Sequence, residues 1–303
     1  MPTHHLAICC GSMSGMEMSS MTTTNPIQFP QGGIHHFVSK YIQGMPDLTG
    51  KVVLDIPCGD GRGSHEFAKK GAEIIALDLF PHFMKLPDVE AKYADLMEPL
   101  PLEDGSVDFI ICQEGIEHVP DQLGVLEEFN RVLRKDGALL LTTPNFSHMR
   151  ARLSRFMLES DYWKRMPPTE IDCIWFAEEE SDKFYFGHLF LRGAQHYESL
   201  LTISGFQAAE RVRTDIGNAS LFLAILMYPL LLVYSLLSWL YYRRKNKQVD
   251  QATRDRILWD RVTLNLSMKT LVCKHLFWVM RKEYELPEVA KRLKKLQKDI
   301  SGR

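Results

Sequence analysis

A chain of 303 residues with 45% hydrophobic content can bury one good-sized core with additions. Its six cysteines, at positions 9, 10, 58, 112, 173 and 273, show no metal-ligand spacing and suit a reduced, cytosolic compartment. A formal net charge of -2 conceals an asymmetry: residues 1–242 carry 19 Lys/Arg against 31 Asp/Glu, and residues 243–303 carry 17 against 7, a basic end that suits nucleic acid or anionic lipid.

Taken in chain order, the first 21 residues lack a basic n-region and a long apolar run, so Leu6–Cys10 is a poor secretion or lipidation signal. A Met/Ser/Thr-rich disordered leader is expected over residues 1–30, and Met13, Met16, Met18 and Met21 compete with Met1 as the true start. An apolar strand, Val52–Asp55, then runs into the turn Ile56-Pro57-Cys58-Gly59-Asp60-Gly61-Arg62-Gly63, which opens a helix over Ser64–Lys70. Glycines serve where backbone passes close to a ligand at positive φ, and the helix start offers free N–H groups. A second strand, Glu73–Asp78, ends in a carboxylate placed to grip the two hydroxyls of a ribose. Strands over Val107–Cys112 and Ala138–Thr143, with a helix over Gln122–Leu133 between them, complete an alternation that predicts an α/β fold with a parallel, doubly wound sheet.

The acid standing before the glycines in Asp55-x-Pro57-x-Gly59-x-Gly61 differs from a dinucleotide-binding Gly-x-Gly-x-x-Gly turn. With Tyr93-Ala94-Asp95-Leu96, Gly105–Cys112, Gln113–Asp121 and Arg131–Asn145, it resembles the class I S-adenosylmethionine-dependent methyltransferases over roughly residues 35–213. The likeness is to the branch acting on quinones, lipids and sugars, the type 11 and type 23 methyltransferases. It implies a Rossmann-like seven-stranded sheet and S-adenosyl-L-methionine as cofactor. By this resemblance Asp55 anchors the methionine end, Gly59 and Gly61 admit the cofactor, Asp78 takes the ribose hydroxyls, Asp95 takes the adenine amino group, and Leu96 and Gln113 complete the contacts. Pro57 stands where the family has a glycine, which removes an N–H and fixes φ.

After the fifth strand, Ser147–Asp182 is aromatic and charged without clean periodicity, and reads either as a substrate-covering insertion or as a helical connector. A helix over Ala194–Ile203 and the break Ser204-Gly205-Phe206 lead to a sixth strand at Gln207–Arg213, and a seventh is expected at Lys274–Arg281. Between those two lies Leu221–Tyr242, wholly uncharged and about 33 Å long as a straight helix. It ends in Trp239, Tyr241 and Tyr242 before Arg243-Arg244-Lys245, an aromatic belt with a basic flank. Both ends must rejoin one sheet on the cytosolic face, so a re-entrant or in-plane hairpin bent near Pro229 is expected; a true span and a buried helix in a soluble oligomer are the alternatives. The boundaries read 31–215 for the S-adenosylmethionine-binding domain, 216–270 for the apolar insertion, 271–282 for the last strand and 283–303 for a basic amphipathic tail. In that tail Val289, Leu293, Leu296 and Ile300 share a stripe flanked by Lys291, Arg292, Lys294, Lys295 and Lys298, as a lipid-surface helix or a solvated one would.

Methyl transfer from a sulfonium asks chiefly for alignment and a dry cavity. A hydroxyl acceptor would also need a base, for which His118, Glu114 and the neighbouring Glu117 are candidates, with His188 facing from the opposite wall. His118 reads equally as a packed residue that orients its loop, and His188 reads more readily as an ordinary satisfied histidine. His4-His5 and His35-His36 have no third ligand at sensible spacing, so no metal is expected, though His35-His36 precede the first strand where helices cap the cofactor. The expected function is methyl transfer, with oxygen favoured, to an amphipathic acceptor at an anionic membrane surface: a lipid-linked or envelope sugar, a lipid or a quinone. A non-catalytic membrane scaffold that binds the same cofactor and a nucleic-acid methyltransferase are the alternatives; no nucleic-acid partner is expected, since no Asn-Pro-Pro-Tyr-type motif accompanies the basic end.

Overall fold

The structure, a computed structural model, describes residues 32–160, 167–171, 173–177, 184–245, 247 and 249–296. The expected leader therefore lies outside the described residues, as do Lys298 and Ile300 of the tail.

Helix α1 (Gly33–Gln43) precedes strand β1 (Val52–Asp55), and the chain continues through α2 (Arg62–Ala68), β2 (Glu73–Asp78), β3 (Ala91–Tyr93), β4 (Val107–Gln113), α3 (Gln122–Val132) and β5 (Leu133–Pro144). Then follow α4 (Met149–Leu158), a hairpin of β6 (Ile174–Ala177) and β7 (Phe184–Phe186), α5 (Ala194–Ile203) and β8 (Phe206–Val212). Helices α6 (Asn218–Lys245), α7 (Gln251–Leu266) and α8 (Met268–Val272) come before β9 (His275–Lys282) and α9 (Leu286–Leu296). The main sheet has seven strands in the order β3-β2-β1-β4-β5-β9-β8, parallel except for β9, which runs antiparallel to both neighbours. The doubly wound α/β sheet and the helical insertion between its last two strands are thus both present.

Alternation along the strands divides the core in two. Leu54, Ile110, Leu139 and Trp278 face one side with Phe129 of α3 and Tyr197 of α5, whereas Val53, Ile111, Leu140 and Phe277 face the other with Val38 of α1 and Phe67 of α2. The order reverses between β1 and β4, so the crevice beyond their carboxyl ends is the switch point where open α/β sheets bind ligands.

At the opposite end of the sheet one polar knot ties three segments together. Asn130, wholly buried, donates to the carbonyls of Ser204 (2.8 Å) and Tyr284 (2.9 Å), and Gly205 turns between them at φ 89°.

The insertion differs from the expected bend. Helix α6 runs unbroken through Pro229, and the chain reverses only after Lys245, returning along α7. The lost hydrogen bond and ring clash, about 3 kcal/mol, are outweighed because both halves are held. The first half packs Ala224, Leu223 and Leu231 with Met149, Leu271 and Val272, while the second meets α7 through Ser235–Asn265, Arg243–Asp255 and the Trp239–Trp259 ring pair. Only Ser220, Ala224 and Ser235 of α6 are buried; Phe222, Leu226, Val233, Leu237 and Leu240 form an exposed apolar stripe on the other side. In length and composition α6 could cross a membrane.

Candidate active site

The turn after β1 is built by hydrogen bonds that make the acidic strand ends structural. Asp55, fully buried, accepts from the backbone N–H and hydroxyl of Ser64 at 2.7 Å each, fixing the start of α2. Burial pushes its carboxyl up to about 7, only partly offset by those two donors. Asp78, at the end of β2, accepts from Gly59 N (2.8 Å) through one oxygen and from Phe80 N (2.8 Å) through the other. Gly59 takes φ 50° and Gly61 φ 88°, and a Cβ on Gly61 would come within 2.5 Å of the Met84 sulfur.

These elements enclose a cavity of about 550 Å³ at the switch point, within the usual range for a small-molecule site. Gly59, Asp78, Asp95, Leu96, Gln113, Glu114 and His118 all line it. Asp55, Gly61 and His188 do not line it: Asp55 faces back to Ser64, Gly61 packs under Met84 and Leu86, and His188 sits behind His118 against Trp175. Asp95 receives the N–H of Met97 at 2.9 Å. Gln113 hydrogen-bonds His35 of α1, which brings the His35-His36 pair to the site's margin.

Several residues escaped sequence reasoning. Phe80, two residues past the acidic end of β2, is buried against Phe176 of β6, with ring centroids 4.7 Å apart, and Tyr185 of β7 stacks on His118 at 4.4 Å. Ser147–Asp182 is therefore more than a helical connector, since β6 lies over the cavity wall together with β7. The aromatic pattern Trp175-Phe176 and Phe184-Tyr185-Phe186 was the available signal. Gly115 also went unremarked, although a Cβ there would collide with the ring of Pro57.

Along the adjoining wall Glu117 and His118 are buried and Glu114 is partly so. Glu114 holds φ 51°, its N–H donates to the carbonyl of Thr142 (3.1 Å), and its carboxylate accepts from the Thr142 hydroxyl (2.9 Å). His118 donates from Nδ1 to the carbonyl of Phe186 (2.5 Å), which leaves Nε2 of the neutral ring with its lone pair. Burial lowers the pKa of His118 and takes that of His188 down to about 4, so both rings are neutral near pH 7. Burial raises Glu114 and raises Glu117 further; neither oxygen of Glu117 meets a donor in hydrogen-bonding geometry. Among the described residues Glu117, His118 and His188 place ligand atoms within 4.8 Å of one another, an arrangement that could hold a metal ion and that the sequence reading, confined to adjacent histidines, did not weigh.

Residues 54–141 match the family model described as "Methyltransferase domain". The chain is 36% identical over 114 residues to the ubiquinone biosynthesis O-methyltransferase of Xanthomonas oryzae pv. oryzae (strain PXO99A), a match covering 35% of this chain and 48% of that protein. It is 30% identical over 146 residues to the protein of the same name from Psychrobacter cryohalolentis, covering 41% and 57%. The chain thus spans about half the length of these relatives. Among solved structures, it is similar to the S-adenosylmethionine-dependent methyltransferase of Mesorhizobium loti (15% identity, TM-score 0.45, covering 82% of this chain and 98% of that one) and to that of Archaeoglobus fulgidus (14%, 0.44, covering 82% and 93%). The family match opens on the glycine turn hydrogen-bonded to Asp78, so residues 54–141 of this chain carry a methyltransferase domain.

Proposed function

We propose that this protein transfers a methyl group from S-adenosylmethionine to a hydroxyl of an amphipathic acceptor at a membrane surface. The observation that carries the reading is the single cavity in which the Asp78–Gly59 turn and Glu114 face a common space. When bound, the cofactor supplies an electrophilic methyl on a sulfonium that leaves as a neutral thioether. In this reading Asp78 keeps lone pairs for the two ribose hydroxyls while holding the turn. Asp95 and the backbone of Leu96 and Gln113 border the base, and Phe80 with the β6–β7 aromatics excludes water. Asp55, behind the wall, shapes the methionine end through α2 rather than by touching it. Glu114 takes the acceptor's proton, and His118 orients the acceptor from the adjoining wall. The likeness to ubiquinone biosynthesis O-methyltransferases favours oxygen as the methylated atom and a quinone-like acceptor over a sugar.

Membrane association is supported by the α6 stripe, which leaves large apolar side chains exposed beside Arg244 and Lys245, and by α9, whose Val289 is buried while its lysines surround the rest of the helix. The unbroken α6 and its polar return along α7 suit a helix lying in the interface, which keeps β8 and β9 in one sheet on one side.

Methyl-labelled S-adenosylmethionine incubated with the protein and a bacterial membrane lipid extract should leave label in the lipid fraction, in an alkali-stable ether. Absence of label there, or its appearance in nucleic acid, would refute the reading. Replacing Phe222, Leu226, Val233 and Leu237 together by Asn, all exposed positions, should lower partition onto anionic phospholipid vesicles at least about tenfold, since each apolar side chain withdrawn from lipid costs about 1 kcal/mol or more. Unchanged co-sedimentation with a normal melting temperature would exclude α6 as the anchor.

A further inference from the structure

Where β9 begins, a row of polar groups leads out of the cavity. Glu114, which lines the cavity, lies at the inner end. Oε2 of Glu114 is 3.6 Å from Nε2 of His275, and Nδ1 of that ring is 3.5 Å from Oδ1 of Asp215. The two latter atoms are buried and face each other, and neither meets any group in strict hydrogen-bonding geometry. Asp215 also pairs with Lys274 at 2.8 Å and stands just before α6. His275 has a side chain 22% exposed, which gives the row an outlet to solvent.

From this geometry we infer that Asp215, His275 and Glu114 form a proton relay, in which Asp215 holds His275 with its proton on Nδ1 so that Nε2 can receive the proton Glu114 has taken from an acceptor hydroxyl. The inference rests on the hydroxyl-methylation reading above. The protons balance. The acceptor's O–H bond breaks as an O–H bond forms on Glu114, that bond breaks as N–H forms on Nε2 of His275, and the imidazolium, stabilised by the Asp215 carboxylate, releases its proton to water. Glu114 returns to its ionised state for the next turnover.

The surroundings are consistent with that direction. Burial pushes Asp215 up, but its contacts with Lys274 and His275 hold it below the usual carboxylate range, so it stays charged. Burial lowers His275 while Asp215 raises it, and burial raises Glu114, which brings donor and acceptor closer in proton affinity. The other ionisable groups acting electrostatically with His275 are His35, His148 and His188, all themselves lowered by burial and neutral near pH 7, together with Lys274. Asp215 is therefore the anion the ring faces, with the Glu114 carboxyl, raised by burial, against its other nitrogen.

Long-range ¹⁵N–¹H spectra of the uniformly ¹⁵N-labelled full chain, with His275→Gln used to assign the ring, test the relay without an acceptor. The Nδ1–H tautomer is expected at pH 7.5, moving toward Nε2–H in Asp215→Asn; an Nε2–H tautomer in the unaltered protein overturns the inference. In the lipid-extract assay His275→Gln should lower kcat by about 10- to 100-fold, with KM and the dissociation constant for S-adenosylmethionine within about twofold. Full kcat in that variant also overturns the relay. If the unaltered protein methylates nothing, the function fails on its own account, and the tautomer still decides whether Asp215 orients the ring.

Discussion

Asp78→Ala weakens S-adenosylmethionine binding by at least about 100-fold, close to 2.7 kcal/mol. One carboxylate accepts from the N–H groups of Gly59 and Phe80, and the same carboxylate faces the cavity. Its removal frees the glycine turn, leaves two amides without acceptors and deletes the proposed ribose contact. Hydrogen bonds to a charged group contribute about 1.5–3 kcal/mol each, so even partial rescue by water leaves a large deficit. Asp78→Asn, whose amide oxygen can still accept from one of the two backbone donors, should lose only about tenfold. Calorimetric titration of both variants, with far-UV dichroism to verify the fold, measures the difference. Near-normal affinity in Asp78→Ala would remove the carboxylate from the site.

Gly205→Ala is the change with the largest expected cost to stability, about 3 kcal/mol. At φ 89° an L side chain is strained, and the added Cβ would lie 2.6 Å from the amide nitrogen of Asn130 and against the carbonyl of Tyr284. Both are fixed: Asn130 is wholly buried and bonded to Ser204 and Tyr284, and Gly205's own carbonyl accepts from Glu283 and Tyr284. The knot joins α3, the start of β8 and the end of β9, so its loss loosens the antiparallel edge of the sheet. Thermal unfolding should shift down by about 8 °C. A shift under about 2 °C would show that the knot yields at little cost.

Much of this architecture can be read from residue order because strands and helices here carry their own periods. Val52–Asp55, Glu73–Asp78 and Ala194–Ile203 appear with the boundaries expected of them, and β8 and β9 each fall within one residue. The glycine turn is equally legible, since positive φ leaves few residue choices. What periodicity cannot supply is pairing over long separations. Nothing in the aromatic run after β5 says that Phe176 will meet Phe80, or that the carbonyl of Phe186 will orient His118. His275 read only as the edge of a strand, and Glu114 as a candidate base with no partner; that they meet is a consequence of β9 inserting beside β5. Asp55 shows a related limit. An acid at a strand end can serve a ligand, the helix that follows, or both, and residue order does not say that Ser64 will take one of its oxygens. Pro229 suggested a bend, but packing on both halves of α6 decided otherwise.

The central claim is that the cavity between Gly59 and Glu114 holds the methyl donor with its ribose on Asp78. A crystal structure of the protein soaked with millimolar S-adenosylhomocysteine tests it most directly. The account predicts a nucleoside in that cavity with both ribose hydroxyls within about 3 Å of the Asp78 carboxylate. A cavity filled only by solvent at that concentration, or a nucleoside bound elsewhere on the molecule, would contradict it.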